Sequence, residues 1–182
     1  MMKCLVMGVL VAIACLADGP RLPRADEVDK PENIQFIVLD KSRLPGIVVD
    51  NTEAKLVGTW KRSIHTPPFV GVGYIHDMKE KKGEKSATFT PELPRAGIYE
   101  VRVSHNSNIR RANGVPITVR HAEGETLVKI NEGEPAPIRH LFRSLGRFSF
   151  RQGRNGSVTI GTQGTEGKYV IVDAVQFIPV KD

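Results

Sequence analysis

The sequence predicts an all-β chain, a single antiparallel β-sandwich of jelly-roll type. Three observations predict it. Short apolar runs recur from Ile47 to Val180, punctuated by Gly, Pro, Asn and Asp, the rhythm of strands and tight turns. Several of these runs alternate apolar and polar residues, the mark of a strand with one covered face. No segment shows a convincing helical period, and returns between distant strands fit a jelly roll.

In chain order, Ile47–Val49 reads as the first strand and ends at the turn formers Asp50-Asn51. Val57–Trp60 and Val70–Ile75 follow. Ser86–Thr90 alternates, with Ala87 and Phe89 on one face. Pro91, Pro94 and Ala96-Gly97 then turn the chain into Ile98–Ser104. There Tyr99, Val101 and Val103 point one way and Glu100, Arg102 and Ser104 the other. Pro116–Ala122 and Thr126–Asn131 flank a hairpin turn at Glu123-Gly124. Leu141–Phe150, Ser157–Thr162 and Tyr169–Ile178 complete the set. The last run is apolar on both faces, which predicts a central strand covered on both sides. No internal repeat is present.

The flanks differ from this β-region. Lys3 precedes an almost wholly apolar stretch, Cys4–Leu16, that is shorter than the ~20 residues of a membrane span. Small residues at Ala12 and Ala14, and again at Cys15 and Ala17, offer sites for signal peptidase. Residues 1–17 therefore read as a cleaved export signal, placing the chain in the periplasm, at the cell surface or outside the cell. Lipidation at Cys15 is the rival, although Ala12 stands where lipidation signals usually carry Leu. Residues 18–45 read as a linker rich in proline and charge. Within it Ile34–Leu39 is either an extra edge strand or a segment packed on the domain. Residues 46–182 form the domain. Both cysteines, Cys4 and Cys15, lie in the leader. After cleavage no disulfide and no Cys-ligated metal site is expected, and no transmembrane span. A chain of 182 residues, 40% hydrophobic and 25% charged, has enough core to manage without staples.

The formal net charge of +6 favours an anionic partner: acidic polysaccharide, nucleic acid or anionic lipid. The export signal and the lack of any nucleic-acid motif argue against nucleic acid.

The strands also contain an ordered set of short motifs: V-V-D-N-T-E-A at 48–54, V-G-T-W at 57–60, G-Y-I-H-D at 73–77 and K-S-A-T-F-T-P-E-L-P at 85–94. G-I-Y-E-V at 97–101, R-A-N-G-V-P-I-T-V at 111–119, S-L-G-R-F-S-F at 144–150 and V-D-A-V-Q-F-I-P at 172–179 continue it. Together they resemble the golvesin and xanthan-lyase carbohydrate-binding-like domain, over roughly residues 46–180. The resemblance implies a β-sandwich of the galactose-binding-like, carbohydrate-binding-module type, usually appended to bacterial extracellular enzymes and taken to bind polysaccharide. One departure is Phe142, where the family often has Trp. If that Trp stacks on sugar, the contact is lost here; if it is core, Phe fills the space.

Candidate ligand contacts follow from the chemistry of sugars, which offer an apolar ring face and polar edges. Trp60, the single Trp, is either a stacking platform or core. Tyr74 and His76 share a strand face, and Asp77 either orders the imidazole, binds a cation or closes a turn. Arg139, Arg143, Arg147, Arg151 and Arg154 crowd one segment. In an unbroken strand Arg143, Arg147 and Arg151 line one face as a cationic stripe for carboxylates, or as a solvated face. A bulge at Gly146 breaks that register. Arg111, with Arg110, Asn106 and Asn108, forms a second candidate loop site. His105 and His121 read as hydrogen-bonded strand-end residues. Asp173, inside an apolar strand, reads as a structural carboxylate paired with an Arg or with turn amides, a calcium ligand being the alternative. No clustered metal-ligand pattern and no cofactor motif is present.

The expected function is non-catalytic binding of acidic extracellular polysaccharide. The alternative is a cell-envelope module whose partner is another protein. A polysaccharide lyase using the Tyr74, His76 and arginine set is a weaker third reading.

Overall fold

In the computed structural model, residues 38–181 are described, so the leader and most of the linker lie outside the described residues. Among the described residues fourteen strands form four sheets. The two large ones face each other, with strand orders β10-β9-β12-β7-β3 and β11-β8-β14-β2. They comprise β2 (Ile47–Asp50), β3 (Lys55–Val57), β7 (Ser86–Phe89), β8 (Gly97–Ser104), β9 (Asn113–His121), β10 (Gly124–Asn131), β11 (Phe142–Phe150), β12 (Ser157–Gly161) and β14 (Ala174–Pro179). Leaving out the edge strand β3 and counting the rest in chain order, the sheets read 1-8-3-6 and 2-7-4-5. That is the jelly roll expected from the sequence.

Alternation builds the core. Val101, Val103 and Tyr99 from β8, with Val175 and Phe177 from β14, meet Ile117 and Val119 from β9, Val158 and Ile160 from β12 and Phe89 from β7. Phe150 sets its edge against both Tyr99 and Phe177, at centroid distances of 6.0 and 5.7 Å, the favoured aromatic geometry. The β14 strand sits between β8 and β2 and is buried from Ala174 to Phe177, as its two-faced apolarity predicted. Inside β9, Pro116 pairs with Lys129 of β10 and lies just beyond the end of the ladder to β12, at Ile117.

Two smaller sheets close one end. One is β13-β6-β4, made of β4 (Lys61–Ser63), β6 (Tyr74–His76) and β13 (Ile171–Val172). The other pairs β1 (Val38–Leu39) with β5 (Phe69–Val70) in parallel. The segment before the domain is thus both things the sequence allowed. Val38–Leu39 pairs as an edge strand, while Leu39 and Leu44 pack on Val70, Leu141, Phe142 and Ala174; residues 34–37 lie outside the described residues. In that cluster Phe142 is fully buried, so it fills core space where stacking was the other option.

Three expected strands are broken. The run Val70–Ile75 divides between β5 and β6, where Gly71 takes a φ of +66°. The run Val57–Trp60 stops at Val57 because Gly58 turns the chain at φ +75°. A Cβ there would lie 2.8 Å from Lys85 Cγ. The run Tyr169–Ile178 divides at Asp173, where the chain passes from the small sheet to the four-stranded one. The buried Asp173 carboxylate accepts hydrogen bonds from the Val70 amide at 3.1 Å and the Ser104 hydroxyl at 2.7 Å. It is therefore held by the amide of a strand residue and a hydroxyl, where an arginine or turn amides were expected. Glu132, equally buried, accepts from the Ile171 amide at 2.8 Å.

Burial pushes both Asp173 and Glu132 up to about 8. The folded chain then keeps protons that the unfolded chain releases near pH 4, so stability falls as pH rises through the window from about 4 to about 8. Burial pushes His105 down to about 4 from 6.5, which costs stability on acidification between those values and opposes the carboxylates there. The decline is therefore clearest from pH 6.5 to 8. The urea midpoint should fall across that interval, and Asp173→Asn should about halve the decline, leaving the part due to Glu132; a midpoint that is constant or rises contradicts this account. Separately, Phe177→Ala should lower stability by ~3–5 kcal/mol, the range for a fully buried Phe, read from urea melts.

Candidate functional site

The three-stranded sheet positions the site. Its register pairs Lys61 with His76 and Ser63 with Tyr74 across β4–β6, and His76 with Ile171 across β6–β13. Paired residues share a face, so Lys61, Ser63, Tyr74, His76 and Ile171 project from one side. Ile75 and Val172 project from the other, into the main core. Phe69, Tyr74 and Ile171 form a small apolar cluster on the first side, with Tyr169 packed at its margin.

The loop between β8 and β9 comes down on this face. The Arg111 amide donates to Asn108 O, Tyr169 N donates to Arg110 O, and Ala112 N donates to Tyr169 O, at 2.8–2.9 Å. These bonds lay the Arg111 guanidinium across two rings, 5.9 Å from the Tyr74 centroid and 5.8 Å from that of Tyr169, within cation–π range. Arg111 is only 9% exposed, yet it makes no ion pair among the described residues. Its Nη2 donates to Asn106 Oδ1 at 2.8 Å, and its Nε has no partner. Glu132 is near enough to feel its charge but spends its bond on the Ile171 amide. Unpartnered polar atoms gather here: Arg111 Nε, Asn106 Nδ2, both ring nitrogens of His105 and Arg143 Nε. His105, expected to be a hydrogen-bonded strand-end residue, is bonded through its backbone N–H, to Leu141 O. Arg111 also lines an open cleft of about 460 Å³ with Asn131 and Lys168.

His76 stands edge-on to Tyr169 at 5.1 Å. Its Nδ1 accepts from the Met78 amide at 3.2 Å. Burial, then the Arg111 charge, lowers its pKa, so the ring is neutral at pH 7. The Tyr74 hydroxyl is 3.1 Å from Ser63 Oγ. Asp77 orders neither His76 nor a cation from solution. Its buried carboxylate takes the Lys82 ammonium and accepts from the amides of Lys79 and Val170, at 3.1 and 3.0 Å. The Lys85 ammonium is bonded to the Asp77 carbonyl at 2.6 Å. Asp77 thus pins the following loop, where Met78, Lys79 and Lys81 all have positive φ. Such costly geometry persists only where the surroundings impose it. Lys79 ends with its ammonium 4.6 Å from the Tyr169 centroid.

Of the sequence candidates, Tyr74, His76, Asp77 and Arg111 come together, merging the Y-x-H-D motif with the arginine loop. Trp60 does not join them. It packs against the main core and donates its Nε1–H to Val57 O at 3.0 Å. The cationic stripe is not formed. A register shift between Ser144 and Gly146 leaves Arg143 opposite Val103 and Arg147 opposite Glu100. Val103 faces the core and Glu100 faces out, so the bulge sends the two arginines to opposite faces. Arg143 bonds Pro135 O at 3.2 Å; Arg147 is exposed beside the Glu100–Arg102 pair. His121 is hydrogen-bonded as expected, to Thr126 and the Glu123 amide. Sequence reasoning missed Tyr169 and Lys79: one begins an apolar run, the other sits in a lysine-rich loop that reads as solvated.

Among the described residues no group of three or more His, Cys, Asp or Glu side chains could hold a metal ion. No helix among them is long and apolar enough to cross a membrane.

The chain is 38% identical to a xanthan lyase of Bacillus sp. (strain GL1) over 142 residues, 75% of this chain and 15% of that enzyme. The structure of Paenibacillus xanthan lyase superposes with a TM-score of 0.70 at 35% identity, over 74% of this chain and 13% of the enzyme. The chain thus spans a small part of the relatives it matches. The CBM35 of Paenibacillus barcinonensis matches at a TM-score of 0.53 and 14% identity, over 74% of this chain and all of that module; it shares the fold. Residues 47–179 match the family model of the Golvesin C-terminal domain, and the chain belongs to that family.

Proposed function

We propose that this protein is an exported, non-catalytic carbohydrate-binding module for acidic polysaccharide, and that the Arg111–Tyr169 cluster is its binding site. The observation that carries this reading is Arg111 itself. A buried guanidinium is costly unless paired, and here it rests on two aromatic faces and one amide oxygen, with Nε free. A sugar carboxylate in the cleft that Arg111 lines supplies the missing anion through a charge-assisted bond to the guanidinium, while the Tyr169 ring meets the apolar face of the sugar. Likeness to domains of polysaccharide-degrading enzymes agrees with this, as does the export-type leader. A catalytic role fits less well. A proton-abstracting base needs a free nitrogen or oxygen beside the substrate, but His76 Nδ1 and the Tyr74 hydroxyl are bonded internally.

The test is affinity electrophoresis of the full chain through gels containing alginate, xanthan or a neutral glucan. Retardation by the acidic gels that weakens with added salt is expected. Arg111→Gln should weaken it at least tenfold and flatten its salt dependence, and Arg111→Lys should restore only part, since a point charge lacks the fork. Full retardation of a folded Arg111→Gln variant would reject this site.

A further inference from the structure

Tyr169 and Lys79 are where the structure goes beyond the sequence. Tyr169 is the half-exposed ring of the cluster, and two cations lie against it, Lys79 at 4.6 Å and Arg111 at 5.8 Å, with the neutral His76 ring edge-on at 5.1 Å. Its ring is the one aromatic surface at the site that a sugar can reach, because Tyr74 is 2% exposed. Lys79 occupies that surface. The backbone under Lys79 is fixed by Asp77 and by its own positive φ of 63°. Its side chain is exposed and is held by the ring alone among the contacts described.

We propose that Tyr169 is the stacking platform and Lys79 a displaceable cover on it, so that the site selects sugars bearing a carboxylate and discriminates against neutral ones. This rests on the carbohydrate-binding reading and names the residues that set its selectivity. A sugar that lays its C–H face on Tyr169 must displace the ammonium. A neutral sugar breaks the cation–π contact and returns only hydrogen bonds from the ammonium to its hydroxyls, weaker than a bond to a carboxylate. A sugar bearing a carboxylate returns a charge-assisted bond to the same ammonium as it swings aside, with Arg111 beneath as a second cation. Selectivity then arises from what the wrong ligand must break as much as from what the right one makes. The fixed loop matters because it limits the search of the displaced lysine to the rim of the ring.

The experiment compares the full chain with Lys79→Met, Tyr169→Ala and Tyr169→Phe, taking dissociation constants from retardation against alginate and neutral glucan concentration. Lys79→Met should weaken alginate binding about fivefold and tighten neutral glucan binding about threefold, the factor corresponding to a surface cation–π contact. Tyr169→Ala should abolish both, and Tyr169→Phe should keep both. Unchanged constants for Lys79→Met, or a parallel loss on both glycans, overturn the proposal. Because Lys79 is exposed, that variant decides the matter even if Tyr169→Ala does not fold. If the wild-type chain is retarded by alginate and a folded Tyr169→Ala is too, the platform is wrong and the carbohydrate-binding reading stands. If the wild-type chain is retarded by no glycan, both fall.

Discussion

Three buried carboxylates hold the end of the sandwich where the site lies. Asp77 accepts from the Val170 amide, Glu132 from the Ile171 amide, and Asp173 from the Val70 amide. The β13 strand is two residues long and pairs only with β6, too little ladder to anchor a sheet by itself. Carboxylates from three separate elements supply the missing acceptors. Burying them is expensive, and two of the three are pushed up to about 8 as a result. The return is a small sheet held against the large ones, with Ile75 and Val172 in the core and Tyr74 and His76 turned outward.

From that constraint the site follows. Because Asp77 binds both the Val170 amide and the loop after β6, it sets the distance between Lys79 and Tyr169. Because the Arg110–Ala112 backbone bonds to Tyr169 on either side, the guanidinium of Arg111 has to lie near that ring. The aromatic and cationic groups are therefore held by backbone bonds and a buried ion pair, with little left to side-chain choice. Such preorganisation reduces the ordering cost of binding.

The sequence revealed the sandwich because alternation is a local signal. Tyr99, Val101 and Val103 can be assigned to a core face without knowing what lies opposite, and the continuous apolarity of β14 announces its central place. Where a local signal depended on register, it failed. Arg143 and Arg147 share parity in an unbroken strand, and the extra residue at the Ser144–Gly146 bulge reverses one of them. The glycine hinted at this, but only the partner strand decides where a bulge falls. The site was legible in pieces. The Y-x-H-D motif and the arginine loop stood out separately, yet nothing local says that Arg111 crosses Tyr74, because the bond network joining them runs through Tyr169. Tyr169 itself was hidden: at the start of an apolar run, an aromatic residue looks like core.

The location of the cluster has its own logic. A sandwich has two outer sheet faces and two ends. Here the outer face of the four-stranded sheet is partly covered by Leu39 and Leu44 from the preceding segment. The middle of the five-stranded sheet shows a row of hydroxyls, with Thr118 paired to Thr159 and Thr159 to Thr88. That row has no aromatic face, and one of its pairs is already closed by a 3.0 Å bond between Thr88 and Thr159. Stacking on a sugar ring needs an exposed aromatic, and recognition of a carboxylate needs a cation that is not already paired. At the end closed by the small sheet the described residues bring both together, since there the β8–β9 loop, the loop after β6 and the entry to β13 converge on one ring.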